Sequence, residues 1–344
     1  MKKLVLLTTM TAAFSLSVIT SAYGATYGGQ ATGATVTVSA TGTTIRANTG
    51  SLGIAGGEAD AALSVGDIPG SATGGVVTLA ASALSSVVIG TGATTSAHAL
   101  MGAVALTVSG NQISTDFIMA RSNANCGPTV NGASDVINLV INGQPITVTG
   151  AANQTVTLSN GSVTINEQTP TLGSTSGQLS VNALHVRTND AVTGQPVADV
   201  ALGSAMAQID CVNGSSPGEA WVSGGGWIPG AMGGKATFGF VAGPGGTPNR
   251  GHFTLSDQST NQKVFGMVMD SVTLCSGGPG QSTFNGHDAN SPSNFSVAAT
   301  DVAEPGAGQD QLQVNGTAQD GTTYLNPNTL IVNGNIQDHG FTCQ

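Results

Sequence analysis

The sequence predicts an all-β protein of two β-sandwich-like domains, mostly antiparallel, joined through Gly/Asn-rich turns. Three observations carry this expectation. Short runs rich in Val, Ile and Thr recur along the chain, and these residues favour strands. Turn residues, 50 glycines among them, separate the runs, as the many short strands of a sandwich require. Several runs alternate apolar with polar residues, the mark of a sheet with one buried and one wet face. A β-helix uses similar residues but needs a fixed repeat, and none is found.

Strand candidates in the first part fall at 34–39, 76–79, 86–89, 103–108, 113–120, 136–141, 146–149, 155–158, 163–166, 179–187 and 200–209. Asn142-Gly143 and Asn160-Gly161 sit between such runs and suit hairpin turns that need positive φ. One short helix is expected at 55–64 (AGGEADAALS). In 200–211 one face is bulky (Val200, Leu202, Met206) and the other small (Ala201, Gly203, Ala205, Ala207), which reads as a buried central strand ending at Cys211. His185 lies in a run that is apolar on both faces, and so reads as a hydrogen-bonded core histidine. In the second part Ala236, Phe238, Phe240 and Ala242 share one face, as do Phe295, Val297 and Ala299, and Leu312 and Val314 point inward. Residues 329–338 read as a hairpin with Asn333-Gly334 at its tip.

Residues 1–24 read as a secretory signal peptide: Lys2 and Lys3, an apolar run, then Ala22-Tyr23-Gly24 before Ala25. The expected location is therefore exported, either secreted/extracellular or periplasmic. No later segment is long and apolar enough to suggest a membrane span. Only 8% of all residues are charged, and the formal net charge is −10. So few cations make nucleic acid a poor partner, because phosphates need clustered Lys and Arg. The expected surface is neutral and polar, with extracellular glycan or matrix components as the partner class.

Four cysteines in an oxidising compartment imply two disulfides, and four allow three pairings. Cys126–Cys211 with Cys275–Cys343 keeps each pair inside one predicted domain. The domains are 25–211 and 220–344, with 212–219 (VNGSSPGE) as linker.

No nucleophile elbow, zinc-protease, phosphate-loop or EF-hand motif occurs. Three weaker constellations remain. Asp301, Glu304 and Asp310 lie on a Gly/Pro loop; a solvated loop is the favoured reading, no cofactor is expected outright, and Ca²⁺ is the alternative such carboxylates could bind. His252, His287 and His339 each adjoin a glycine, and converging imidazoles bind transition metals. Trp221 and Trp227 flank a Gly-rich turn; Trp227 with His252 makes an alternative ligand site, although tryptophans more often plug a core.

The stretches VTINEQ (163–168), VNALHV (181–186) and ADVALGSAMAQIDC (198–211) resemble the end of a choice-of-anchor P domain. GGGWIPGAMGGKATFGFVA (224–242), RGHFTLSD (250–257) and EPGAGQDQL (304–312) resemble the domain that often follows it. The resemblance implies an exported bacterial protein, and no established reaction. Relatives often end in a surface-sorting signal, whereas this chain ends NGNIQDHGFTCQ, without an apolar span or basic tail. The expectation is a structural, adhesive or surface-associated protein, not an enzyme. The alternative is a secreted glycan-binding protein or hydrolase with its site in the C-terminal domain.

Overall fold

The computed structural model describes residues 25–211, 220–244, 249–276, 280–341 and 343; the expected leader and the 212–219 linker lie outside the described residues. The first unit runs β1 (Ala25–Val38), β2 (Gly42–Asn48), β3 (Gly57–Val65), β4 (Val77–Thr91), β5 (Thr94–Val108), β6 (Asn111–Asn125), β7 (Thr129–Ile137), β8 (Val140–Ile141), β9 (Gln144–Pro145), β10 (Gln154–Leu158), β11 (Gly161–Leu172), β12 (Ser176–Asn189) and β13 (Pro196–Cys211). The second runs β14 (Trp221–Pro229), β15 (Lys235–Gly243), β16 (Arg250–Asp257), β17 (Gln262–Gly266), β18 (Val268–Thr273), β19 (Gln281–His287), β20 (Asn294–Thr300), β21 (Gln311–Thr317), β22 (Thr323–Leu330) and β23 (Asn333–His339). The expected all-β class holds. Among the described residues no helix is long and apolar enough to cross a membrane.

Four antiparallel sheets result. Sheet A has the order β10-β11-β12-β13-β1-β2, and sheet B the order β3-β4-β5-β6-β8-β9 with β7 also on β6. Sheet C is β17-β16-β15-β14-β23 and sheet D is β18-β19-β20-β21-β22. A and B enclose one aliphatic core that includes Val88, Ile118, Leu184 and Val200. C and D enclose a second core, centred on phenylalanines: Phe240 meets Phe284 at 4.9 Å between ring centroids, and Phe253 meets Phe295 at 5.1 Å.

Alternation along single strands predicts these two sandwiches but not their contact. The outer face of B packs on the outer face of C, giving the layer order A–B–C–D. Two small clusters mark this seam: Val87 and Ile89 with Trp221 and Val241, and Leu100, Phe117 and Met119 with Trp227. Lys235 also pairs with Asp116 across it and lies 5.3 Å from the Trp227 ring centroid.

Glycines let the two sheets approach. A Cβ on Gly225 would lie 2.1 Å from Leu100 Cδ2, and one on Gly239 would lie 2.5 Å from Ser85 Cβ. Gly225 and Gly239 are themselves paired in register. The Gly-rich stretch at 223–226 is thus a packing surface. Gly239→Ala is expected to destabilise the protein by roughly 1–3 kcal/mol, the usual cost of overpacking a filled interior. Urea unfolding checks this, and an unchanged midpoint would refute the close approach.

Several local expectations need correction. Residues 55–64 hold no helix: β3 spans Gly57–Val65 and pairs with β4, because Ala59, Ala61 and Leu63 pack against the first core at a two-residue period. In β13 the inward face changes along the strand, with Val200 and Leu202 buried and then Ala205, Ala207 and Ile209. The change falls at Gly203, whose φ of 60° reverses the alternation. Asn142-Gly143 does form a turn with φ of 50° and 76°. By contrast Gly161 opens β11, where a Cβ would lie 1.9 Å from the Arg187 carbonyl oxygen. Residues 329–338 are not a hairpin, because β22 belongs to sheet D and β23 to sheet C.

Both expected disulfides form, Cys126–Cys211 with Cα atoms 5.6 Å apart and Cys275–Cys343 with 5.2 Å. They fit a non-cytoplasmic, oxidising compartment. Neither bond crosses the seam.

Candidate functional site

The seam gathers three of the four buried histidines, His98, His252 and His339. In sheet B, Asp60 on β3, Val87 on β4, His98 on β5 and Arg121 on β6 stand side by side in register. In sheet C, Ser223 on β14, Val241 on β15 and His252 on β16 form the facing row, with His339 on β23 opposite Trp221. Period-two alternation places all of these away from the two sandwich cores.

His252 connects the units. Its Nδ1–H donates to Asp60 Oδ2, and its Nε2 lies 2.8 Å from Ser85 Oγ. Burial pushes the Asp60 carboxyl upward, but the charge and hydrogen bond of His252 outweigh it and hold the group below its ordinary range. Beside it, burial and then the Asp60 charge push Glu58 up to about 9, against the opposing charge of Arg250. A second bond of the same kind joins His339 Nε2 to Ser223 Oγ at 2.8 Å. His98 lies between these pairs. Burial, then the charges of His339, His252 and Arg121, lower it to about 3, and burial lowers His339 to about 4.

Asp60–His252–Ser85 has the order of an acyl-transfer triad, in which a carboxylate orients an imidazole that activates a hydroxyl. Such a triad needs a path for substrate. Ser85 and His252 have zero exposure. A Cβ on Gly239 would come within 2.8 Å of Ser85 Oγ, so the sheet C backbone occupies the side from which a carbonyl carbon would approach. In the closed molecule the trio is a buried hydrogen-bond bridge between units.

The other sequence candidates are placed as follows. Asp310 is buried; its Oδ1 accepts the Val302 N–H at 2.9 Å and its Oδ2 the Ile336 N–H at 2.8 Å. Asp301 accepts the Asp338 N–H at 3.0 Å, and Glu304 accepts from Asn335 Nδ2 at 2.8 Å. These carboxylates hold the 301–310 loop to β23, a structural role for Asp301, Glu304 and Asp310. Among the described residues no group of three or more His, Cys, Asp or Glu is arranged to hold a metal ion. Burial, then the charges of Asp301 and Asp310, push Asp338 up to about 7.

His252, His287 and His339 do not converge on one point. His287 is 44% exposed and pairs with Asp270, whereas the third seam imidazole is His98. Sequence reading had no local signal for His98; its place follows only from knowing which face of β5 meets sheet C. Trp221 is fully buried and Trp227 is covered on one side by Lys235, so both plug the seam. With His252 sealed, the Trp227/His252 ligand site is corrected as well. His185 is hydrogen-bonded as expected, 2.5 Å from Glu167 and 2.8 Å from Asp199, but it stands outside the aliphatic core, against part-exposed carboxylates.

Beyond the seam, sheet C leaves part of sheet B uncovered. An open groove of about 570 Å³ lies there, floored by Thr78, Ala80, Ala105, Thr107 and Ser114. Asp67 is the titratable side chain that lines it.

No family model matches the chain, and no curated protein does. A match among solved structures is the crystal structure of a provisionally named AttH from Nitrosomonas europaea, at 9% identity and a TM-score of 0.23, covering 92% of this chain and 93% of that one. A likeness this loose carries neither fold nor function.

Proposed function

We propose that this chain is an exported bacterial surface-associated protein of the choice-of-anchor P type, acting as a rigid structural or adhesive body and not as a hydrolase. One observation carries the reading: the only triad-like hydrogen-bond chain among the described residues, Asp60–His252–Ser85, is closed between two sheets, with Ser85 and His252 at zero exposure. A body that uses its best-placed serine and histidine to lock two sandwiches together is built for shape. The two disulfides support it, since they suit life outside the cytoplasm. So does a surface drawn from a sequence with only 8% charged residues.

Fractionation with protease shaving and analysis of culture supernatant tests the export half; retention in the cytoplasm overturns it. A fluorophosphonate probe on the purified protein tests the other half. The expected result is no labelling of Ser85 under native conditions. Stoichiometric labelling at Ser85, with ester hydrolysis lost in Ser85→Ala, would establish a hydrolase instead.

A further inference from the structure

The seam is not closed along its whole length. Where β6 and β7 face β23 and the 301–310 loop, it opens as a cleft of about 340 Å³. A narrow recess of about 20 Å³ continues it inward to His98 and Ser96. The cleft shares Arg121, Asn123, Asn335 and Gln337 with the recess, and Asn131 and Glu304 complete its polar lining.

The chemistry of that lining is neutral and rich in planar amides. Arg121 is compensated by Asp135 at 3.0 Å, and Glu304 is engaged by Asn335 at 2.8 Å. Neither a free anion nor a free cation is favoured. Asn123 Nδ2 donates to Asn131 Oδ1 at 3.1 Å, which leaves the Asn123 carbonyl and the Asn131 amide hydrogens for a ligand. Among the described residues the Gln337 side chain has no hydrogen-bond partner. An amide offers a donor and an acceptor a short distance apart, which matches neighbouring hydroxyls. Pro305 and Ala133 add small apolar surfaces for C–H edges.

The floor gives a second, independent pointer. His98 is 8% exposed and Ser96 7%, and among the described residues His98 Nε2 and Ser96 Oγ are buried without a partner. Buried polar atoms of this kind require a partner. A recess of about 20 Å³ has room for one hydroxyl or one water, and no more. The cleft volume lies at the low end of small-molecule sites, roughly 300–1,000 Å³, enough for a single ring.

We infer that this cleft binds the terminal residue of a neutral glycan, with one hydroxyl in the recess against His98 and Ser96. The inference gives a ligand class to the adhesive reading above and rests on it only for its biological setting. His98, held neutral by burial, presents an uncharged ring nitrogen to that hydroxyl.

Isothermal titration of the full purified chain with free glucose, galactose, mannose and N-acetylglucosamine tests it. At least one sugar is expected to bind saturably. Gln337→Ala and Asn123→Ala, both at the cleft mouth, should each weaken it about tenfold, the worth of one good hydrogen bond. Thr78→Ala, in the separate sheet B groove, should leave it unchanged. No saturable binding across the panel overturns the inference, as does binding that both cleft variants leave intact. Either result leaves the export reading, tested by fractionation, untouched.

Discussion

Acidification below pH 6.5 is expected to open the B–C seam while both sandwich cores stay folded. Burial holds His98 at about 3 and His339 at about 4, against an ordinary value of 6.5. Once the seam opens, water reaches both rings and they titrate normally. Between pH 6.5 and about 4 the open form therefore binds more protons than the closed form, and acid favours it. Glu58 acts in the opposite sense. Its closed-state value is about 9 against an ordinary 4.5, so from pH 4.5 to 9 the closed form holds a proton that the open form has lost. With two imidazoles against one carboxyl, the opening equilibrium should rise about tenfold per pH unit from 6.5 to 4.5 and more steeply below. Above 6.5 only Glu58 acts, and opening should rise again toward pH 9. The seam is thus tightest near neutral pH.

Both tryptophans report on this event, because Trp221 packs against Val87 and Ile89, and Trp227 against Leu100 and Phe117, all across the seam. A red shift of emission in acid, with far-ultraviolet dichroism unchanged, is the expected result. His98→Gln with His339→Gln should abolish the acid limb, so that with Glu58 alone opening keeps falling from pH 9 down to about 4.5. An emission spectrum constant from pH 7 to 4 would overturn the prediction.

How much of this was legible in the sequence follows from what a strand encodes. Period-two alternation marks which residues avoid water, so Phe238 and Phe240, or Leu312 and Val314, announce a buried face. The same signal fails in β15, where Thr237, Gly239 and Val241 on the opposite face are buried too. A small or polar residue looks the same whether it meets water or another sheet. Much of the seam between its two apolar clusters is written in such residues, and Ser85, His98 and His252 gain their meaning only from sequence-distant partners. The Asp301–Asp310 loop was ambiguous for a related reason: its carboxylates suit calcium or solvent by type, and the backbone amides that Asp310 serves lie elsewhere along the chain. Cysteine parity did better, because covalent pairing inside a compact unit leaves few arrangements.

The largest single loss of stability should follow from removing Cys126–Cys211. The bond joins the β6–β7 turn of sheet B to the end of β13 in sheet A across a separation of 85 residues. Closing a loop of that length restricts the unfolded chain by about 4.5 kcal/mol in the chain-entropy model. Cys126→Ser with Cys211→Ser should lower the first unit's unfolding free energy by about that amount, more than a thousandfold in the folded fraction. Cys275–Cys343 does the same for sheets D and C, with a separation of 68 residues and a similar cost. Urea titration with and without dithiothreitol measures both. Reductant should unfold each sandwich at lower urea, and the acid response of the seam should persist wherever the cores remain folded, because no disulfide spans it. A urea midpoint indifferent to reductant would show that aliphatic and aromatic packing alone secures the sandwiches. The protein would then need no oxidising compartment to fold, and the strongest structural support for export would be gone.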